Sequence, residues 1–220
     1  AEQGELVGIV LLGRGVLARV KQAQGDVDGA LDILQQAEQL ARVKKIVKTA
    51  DHIAAYRDRL WLKQGNIEAA VKWAQRAGVR VDDEAGYQHE AEHITLARVR
   101  TAQGRPVEAA ALLRRLLKVA EVDARTGSAI KILVSLALAL QAMGNTDQAL
   151  ATLERGLSLA EPEGYVRTFV DAGAPMKALL LKVFEAGRIS GLAKSPYIRL
   201  EYVGRLLEAF GVRTISRTET

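Results

Sequence analysis

Gly25-Asp26-Val27-Asp28-Gly29-Ala30 returns three times along the chain. Its copies are Gly65-Asn66-Ile67-Glu68-Ala69-Ala70, Gly104-Arg105-Pro106-Val107-Glu108-Ala109 and Gly144-Asn145-Thr146-Asp147-Gln148-Ala149. The leading glycines lie 40, 39 and 40 residues apart, and in every copy an alanine stands five residues after the glycine. A glycine just past a helix end takes the left-handed conformation without a Cβ clash. Asp or Asn beside it suits a turn. Pro106 suits the first turn of a following helix, where its missing N–H costs nothing. The alanine is what a close helix crossing requires, because a larger side chain would hold the pair apart.

The residues around these turns are helix formers. Proline occurs 4 times and aromatic residues make up 5% of the chain. After each turn one face stays apolar or small at a spacing of three: Leu31, Leu34 and Ala37; Val71, Ala74 and Ala77; Leu113 and Leu116; Leu150 and Leu153. That is a helical period, not a strand period. Residues 1–160 therefore read as four helical hairpins. Residues 161–220 read as C-terminal capping or linker helices of the same compact domain. A hairpin of this kind cannot bury its apolar face alone, so such units stack. The expected fold is all-α, a right-handed superhelix of hairpins with a period of about 40 and a concave surface.

Composition narrows the function. With 220 residues and 49% hydrophobic content the chain can build a core and is not disordered. It has no cysteine, which excludes disulfides, cysteine-based zinc or iron–sulfur centres and a thiol nucleophile, and fits a cytoplasmic protein. The net charge of +5 is interspersed with acids and does not mark a nucleic-acid binder. No apolar run is long enough to span a bilayer, so no membrane contact is expected. A start at Ala1 reads as a processed or excised piece.

The Gly-x4-Ala anchor resembles the tetratricopeptide repeat. Upstream of the turn glycines, Ala18, Ala97 and Ala137 match the small residue seven before, and Leu17, Leu96 and Leu136 match the apolar residue eight before. The second hairpin departs at both, with Asp58 and Arg57, although it alone carries the aromatic four before, Trp61. Leu159 to Met176, containing Pro162, Gly164-Tyr165, Arg167, Phe169-Val170-Asp171, Gly173 and Pro175, resembles the end of the sensor domain of MalT-like, ATP-dependent LuxR-type transcriptional regulators. Repeats and signature together cover roughly residues 5–186. The resemblance implies neighbouring ATPase and helix-turn-helix domains in a parent chain. It also implies a small effector or regulatory protein bound to the superhelix. The chain has no Gly-x4-Gly-Lys-[Ser/Thr], hence no phosphate cradle, and ends about where a helix-turn-helix would begin. By itself it is expected to bind neither ATP nor DNA, to need no cofactor and not to be an enzyme. The alternative is a general tetratricopeptide-type scaffold unrelated to transcription.

In the C-terminal part, Pro175 starts a helix that Gly187 should close. Ser195-Pro196 should start another that runs past Tyr202, Leu206, Leu207 and Phe210 to Gly211. Tyr197, Leu200, Val203 and Leu207 would share its apolar face.

The candidate binding residues come from the repeat register. Six before the turn glycines stand Arg19, Arg59 and Arg98; thirteen before stand His52 and Lys131; three before stand Thr101 and Gln141. By resemblance to tetratricopeptide repeats, the first of these positions lines the groove. An arginine column there would suit a carboxylate, a phosphorylated metabolite or an acidic peptide, because the guanidinium fork pairs with such groups bidentately. Charged residues on a solvated helix face are the competing account. His89-Glu90-Ala91-Glu92-His93 spells His-Glu-x-x-His, whose histidines on one helix could share a zinc. Glu108 and Glu121 are the available third ligands, but no substrate-binding strand accompanies the motif. It reads as an ordinary helix start, no metal centre is expected, and His89 and His93 are the candidates for adventitious metal. Two basic groups, one at Arg42, Lys44, Lys45 and Lys48 and one from Arg98 to Lys118, read as solvated surface or contact with the ATPase domain. Trp61 and Trp73 read as core, or as a stacking wall. The stripe Leu6, Ile9, Leu12 and Val16 predicts weak self-association.

Overall fold

The structure, a computed structural model, describes residues 2–84, 86–190 and 200–213. It is all-helical among them. The helices are α1 (Glu2–Ala23), α2 (Val27–Val43), α3 (Val47–Lys63), α4 (Ile67–Ala77), α5 (Glu90–Ala102), α6 (Pro106–Val122), α7 (Thr126–Ala142), α8 (Thr146–Ala160), α9 (Arg167–Val170), α10 (Ala174–Ser190) and α11 (Leu200–Ala209). Helices adjacent in sequence pack in antiparallel pairs, α1 on α2, α3 on α4 and α7 on α8, and α2 also packs on α3 and α6 on α7. The chain forms two compact units, Ala1–Arg80 with Ala91–Val99, and Val81–Glu90 with Arg100–Thr220.

The glycine turns form as the repeat requires. Gly25, Gly65, Gly104 and Gly144 have φ of +85°, +77°, +75° and +80°. Behind each, two backbone bonds close the preceding helix; at the first, Asp26 N–H donates to the Lys21 carbonyl at 3.0 Å and Gly25 N–H to that of Gln22 at 3.1 Å. This double closure satisfies carbonyls that the helix end leaves open. The side chains of Asp26 and Asn66 then cap the next helix, accepting from the N–H of Gly29 at 2.9 Å and of Ala69 at 3.2 Å. Ala30, Ala70, Ala109 and Ala149 have no exposed surface, as the close crossing demands.

Two turns between hairpins form without glycine. Lys45 and Ala124 hold φ of +57° and +52° there. They close their helices with the same pair of bonds, from Ile46 N–H to the Ala41 carbonyl at 2.8 Å and from Arg125 N–H to that of Ala120 at 2.8 Å. A left-handed residue thus recurs at 25, 45, 65, 104, 124, 144 and 164. The real unit is a single helix with its turn, about 20 residues long. The rhythm breaks once. α4 stops after 11 residues at Gly78 (φ +69°) and α5 has 13, shorter than the roughly 18–20 residues that repeat spacing alone would give. A longer connection fills the gap. Arg115 donates to the Val81 carbonyl, and Arg125 pairs with Glu90 while its guanidinium lies 5.1 Å from the Tyr87 ring.

In the first unit the core is built by Leu11, Ala18, Ala30, Leu34, Ala37, Ala41, Ala50, Ile53 and Leu60. In the second, α6, α7 and α8 bury leucines, isoleucines and alanines, and α10 packs on α7 and α8. The signature segment here is a structural device. Phe169 is fully buried and meets Tyr202 of α11 edge-on, centroids 6.4 Å apart at 87°. The Tyr202 hydroxyl donates to the Tyr165 carbonyl, and Arg167 pairs with Asp171 one turn on. α10 runs on through Ser190 instead of ending at Gly187. Gly187 is buried where a Cβ would strike the Leu200 side chain, so this glycine serves close packing of α10 against α11 and not helix termination. Ser195, Pro196 and Tyr197 lie outside the described residues. α11 buries Val203 and Leu207, and Gly211 follows it at φ +77°.

Candidate functional site

The polar residues marked by the repeat register sit on the first helix of each hairpin. In the first unit, Arg19 stands exposed on α1 and His52 exposed on α3. His52 Nδ1 lies 3.2 Å from Oε1 of Glu92, a nearly buried carboxylate on α5. Arg59 is half-buried on α3, its guanidinium 5.2 Å from the Tyr56 ring, and the Tyr56 hydroxyl donates at 2.6 Å to Oε1 of Gln22 on α1. Arg98 is half-buried on α5. α1, α3 and α5 are therefore tied side to side by Tyr56–Gln22 and His52–Glu92. Arg59 belongs to that polar seam.

In the second unit, Thr101 is half-buried and Lys131 exposed. Gln141 is half-buried, and its Oε1 is buried without a hydrogen-bond partner among the described residues.

The two histidines of His-Glu-x-x-His sit in different environments. A 3-10 turn spans Tyr87–His89 and the α-helix begins at Glu90. His89 is exposed before the helix, whereas His93 is 2% exposed in its second turn. The motif presumes both on one helical face. Among the described residues no group of three or more His, Cys, Asp or Glu could hold a metal ion. Much of the basic charge is already engaged. Arg42 pairs with Glu38 at 2.8 Å, Arg105 pairs with Glu108, and Arg100 is 3.7 Å from Glu108.

A second polar cluster was not singled out by the register. Asp58 on α3 is completely buried, and neither carboxylate oxygen has a hydrogen-bond partner among the described residues. Beside it, Arg57 pairs with Glu38 of α2 and holds its guanidinium 4.4 Å from the Trp61 ring. Burial pushes the Asp58 carboxyl from 3.8 to about 8, Arg57 opposes this, Glu38 adds to it, and Arg76 and Arg59 oppose it less. At neutral pH Asp58 is mostly protonated. Its signal in the sequence is the departure from the repeat at Arg57 and Asp58. Ala74 on α4, nine after the turn glycine, is a second departure, for the other hairpins carry the buried leucines Leu34, Leu113 and Leu153 there. The second hairpin thus carries a small residue on the second helix and a buried carboxyl on the first, where the other hairpins carry leucine and alanine. Trp73 is core, 4% exposed, and Trp61 is half-buried under Arg57.

Among the described residues no helix is long and apolar enough to cross a membrane. A family model described as the MalT-like TPR region matches residues 1–185. No curated protein and no solved structure matches significantly. The match takes in every hairpin, the signature segment and most of α10. The chain, by that coverage and by its glycine-closed antiparallel helix pairs, belongs to the MalT-like TPR family.

Proposed function

We propose that this chain is a non-catalytic sensor domain that binds an effector or a partner protein and passes that state to other domains of a LuxR-type transcriptional regulator. The supporting observation is the polar seam along the first helices. Arg59, its guanidinium against the Tyr56 ring, and Arg98 are half-buried at one register on α3 and α5, two helices that His52 and Glu92 tie together, on a family scaffold that carries no catalytic motif. A held guanidinium loses less freedom on pairing than a free one, and its fork suits carboxylate and phosphate groups. The ligand class is therefore an anion: a phosphorylated or carboxylated metabolite, or an acidic peptide. Arg19, Lys131, Thr101 and Gln141 extend the same register on their own helices. α1, α3 and the first part of α5, all in the first unit, provide the binding face, and residues 161–220 lead to the DNA-binding domain of a parent chain.

The test is a thermal-shift screen of metabolites, phosphorylated compounds and acidic peptides, with zinc and a chelator as controls. A ligand that binds only the folded state raises Tm. The reading expects an anionic hit that Arg59→Ala and Arg98→Ala abolish. A hit indifferent to both substitutions would overturn the arginine assignment. Peptide binding with no small-molecule hit, in a protein whose parent chain lacks a DNA-binding domain, would establish the general scaffold instead.

A further inference from the structure

Helix α1 is apolar on two opposite faces. Leu11, Ala18 and Gln22 are buried, and α1 packs on α2. Opposite them, Val10, Val16, Leu17 and Val20 are 40%, 60%, 48% and 46% exposed. These four stand fifteen, nine, eight and five residues before the turn glycine. At the same stations α7 carries Ala129, Ser135, Leu136 and Ala139, all buried, and α3 carries Ala50 and Leu60, buried, with Tyr56 and Arg57 half-buried.

Two contacts show what meets that face in α3: Tyr56, at the station of Val16, donates to Gln22 of α1, and the station of Leu17 meets the second helix. Arg57, at the station of Leu17, is paired with Glu38 on the second helix of the preceding hairpin. α7 likewise packs on α6, the second helix of the hairpin before it. Twice in this chain, then, the second helix of one hairpin packs on the first helix of the next, α2 on α3 and α6 on α7, and α1 presents the receiving half of a third such pairing. Among the described residues nothing of that type lies on it. Three of its four aliphatic side chains are larger and more apolar than their counterparts on α7 and the fourth, Leu17, matches Leu136, which suits burial and not solvation.

We propose that the Val10–Val16–Leu17–Val20 face of α1 docks the second helix of another hairpin of this repeat type. Such a partner is an amphipathic helix of about 17 residues with alanine and leucine toward the contact, of the kind that α6 represents. The interface continues the stack at the α1 side in the register of α6 on α7.

The register gives a direct test. Thr126 and Val7 both stand eighteen residues before their turn glycines. Replacing residues 1–6 with a second copy of residues 106–125 therefore puts Val7 where Thr126 follows Arg125. The expected result is at least tenfold slower amide hydrogen exchange across α1 and a Tm raised by several degrees. Val16→Glu with Val20→Glu should remove both gains; circular dichroism of the same double variant without the added helix checks that it still folds, since both side chains are solvent-exposed. Unchanged exchange in α1 would overturn the proposal. Sedimentation is the second arm. A native chain that dimerises, becomes monomeric with the two glutamates and dimerises equally well with the added helix would make a second copy the occupant, and would overturn it too.

Discussion

Asp58 makes the stability of this protein fall as pH rises through the range in which most proteins are insensitive. Its carboxyl titrates near 3.8 in an unfolded chain and at about 8 in the folded one. Below the first value both states hold the proton and there is no difference between them. Between the two values only the folded state keeps it, so the unfolded state binds fewer protons and folding free energy is lost with every step in pH. Above about 8 the loss is complete. The slope in the window is about 1.4 kcal/mol per pH unit, so from about pH 4.5 to 7 the loss attributable to this one group is roughly 3 kcal/mol. That is a large part of an ordinary domain's stability of about 5–15 kcal/mol. The charged groups that act on Asp58 are Glu38 from α2, Arg57 and Arg59 from α3 and Arg76 from α4. Glu38 is itself paired with Arg57. Asp58→Asn keeps the shape and removes the titration. Urea unfolding followed by circular dichroism at half-unit steps from about pH 4.5 to 8 measures both proteins. The wild type should lose stability relative to Asp58→Asn across the window, with the curves closest at the acid end. Parallel curves would refute the assignment and mean that Asp58 is ionised in the fold.

Other substitutions test the remaining structural claims. Asp58→Ala with Ala74→Leu gives the second hairpin the alanine and leucine that the others carry at these two positions; if the positions meet, the double variant should exceed the sum of its singles by about 1–2 kcal/mol, a coupling that denaturant titrations of all four proteins measure. Ala124→Gly relieves a left-handed alanine at φ +52° and should stabilise by roughly 1 kcal/mol, read as a higher urea midpoint at unchanged slope. Tyr202→Phe removes the hydroxyl from the Tyr165 carbonyl, should cost about 1–2 kcal/mol, and should speed amide exchange in α11 before exchange in α7.

The repeat was legible because its physics is local. A glycine that must be left-handed and an alanine that must be small are visible one position at a time, and four copies fix the hairpins. The turns at Lys45 and Ala124 were silent, since the same two backbone bonds form there without a residue that advertises them. The early stop of α4 was hidden for a related reason. Gly78 ends the helix, but the spacing from Gly65 to Gly104 stays at 39 because the connection replaces the helical residues lost on either side. The spacing of His89 and His93 could not reveal that the first stands in a 3-10 turn, exposed, and the second in α5, buried. Gly187 read as a stop and proved to be a contact, a distinction made by Leu200 across the gap. Arg57 and Asp58 were visible as departures from the pattern, yet the charges that act on them include Glu38 and Arg76, on other helices.

The identical closures at residues 25, 45 and 65, and again at 124 and 144, also bear on how fast the chain acquires its structure. Within α1 to α4, and within α6 to α8, each helix docks on the one just made, across a turn of about three residues, so the entropy of loop closure stays small at every step. Such zippering belongs to the rapid end of folding rates, where most contacts are local. The C-terminal helices obey another rule. α10 must find α7 as well as α8, and α11 must find α9, so their docking waits for distant segments already in place. Refolding should therefore show a fast rise in helix signal and a slower phase reported by Tyr202 and its neighbour Phe169. A fluorescent reporter near α11 that moves in step with the fast helix signal would show that docking is not the later event.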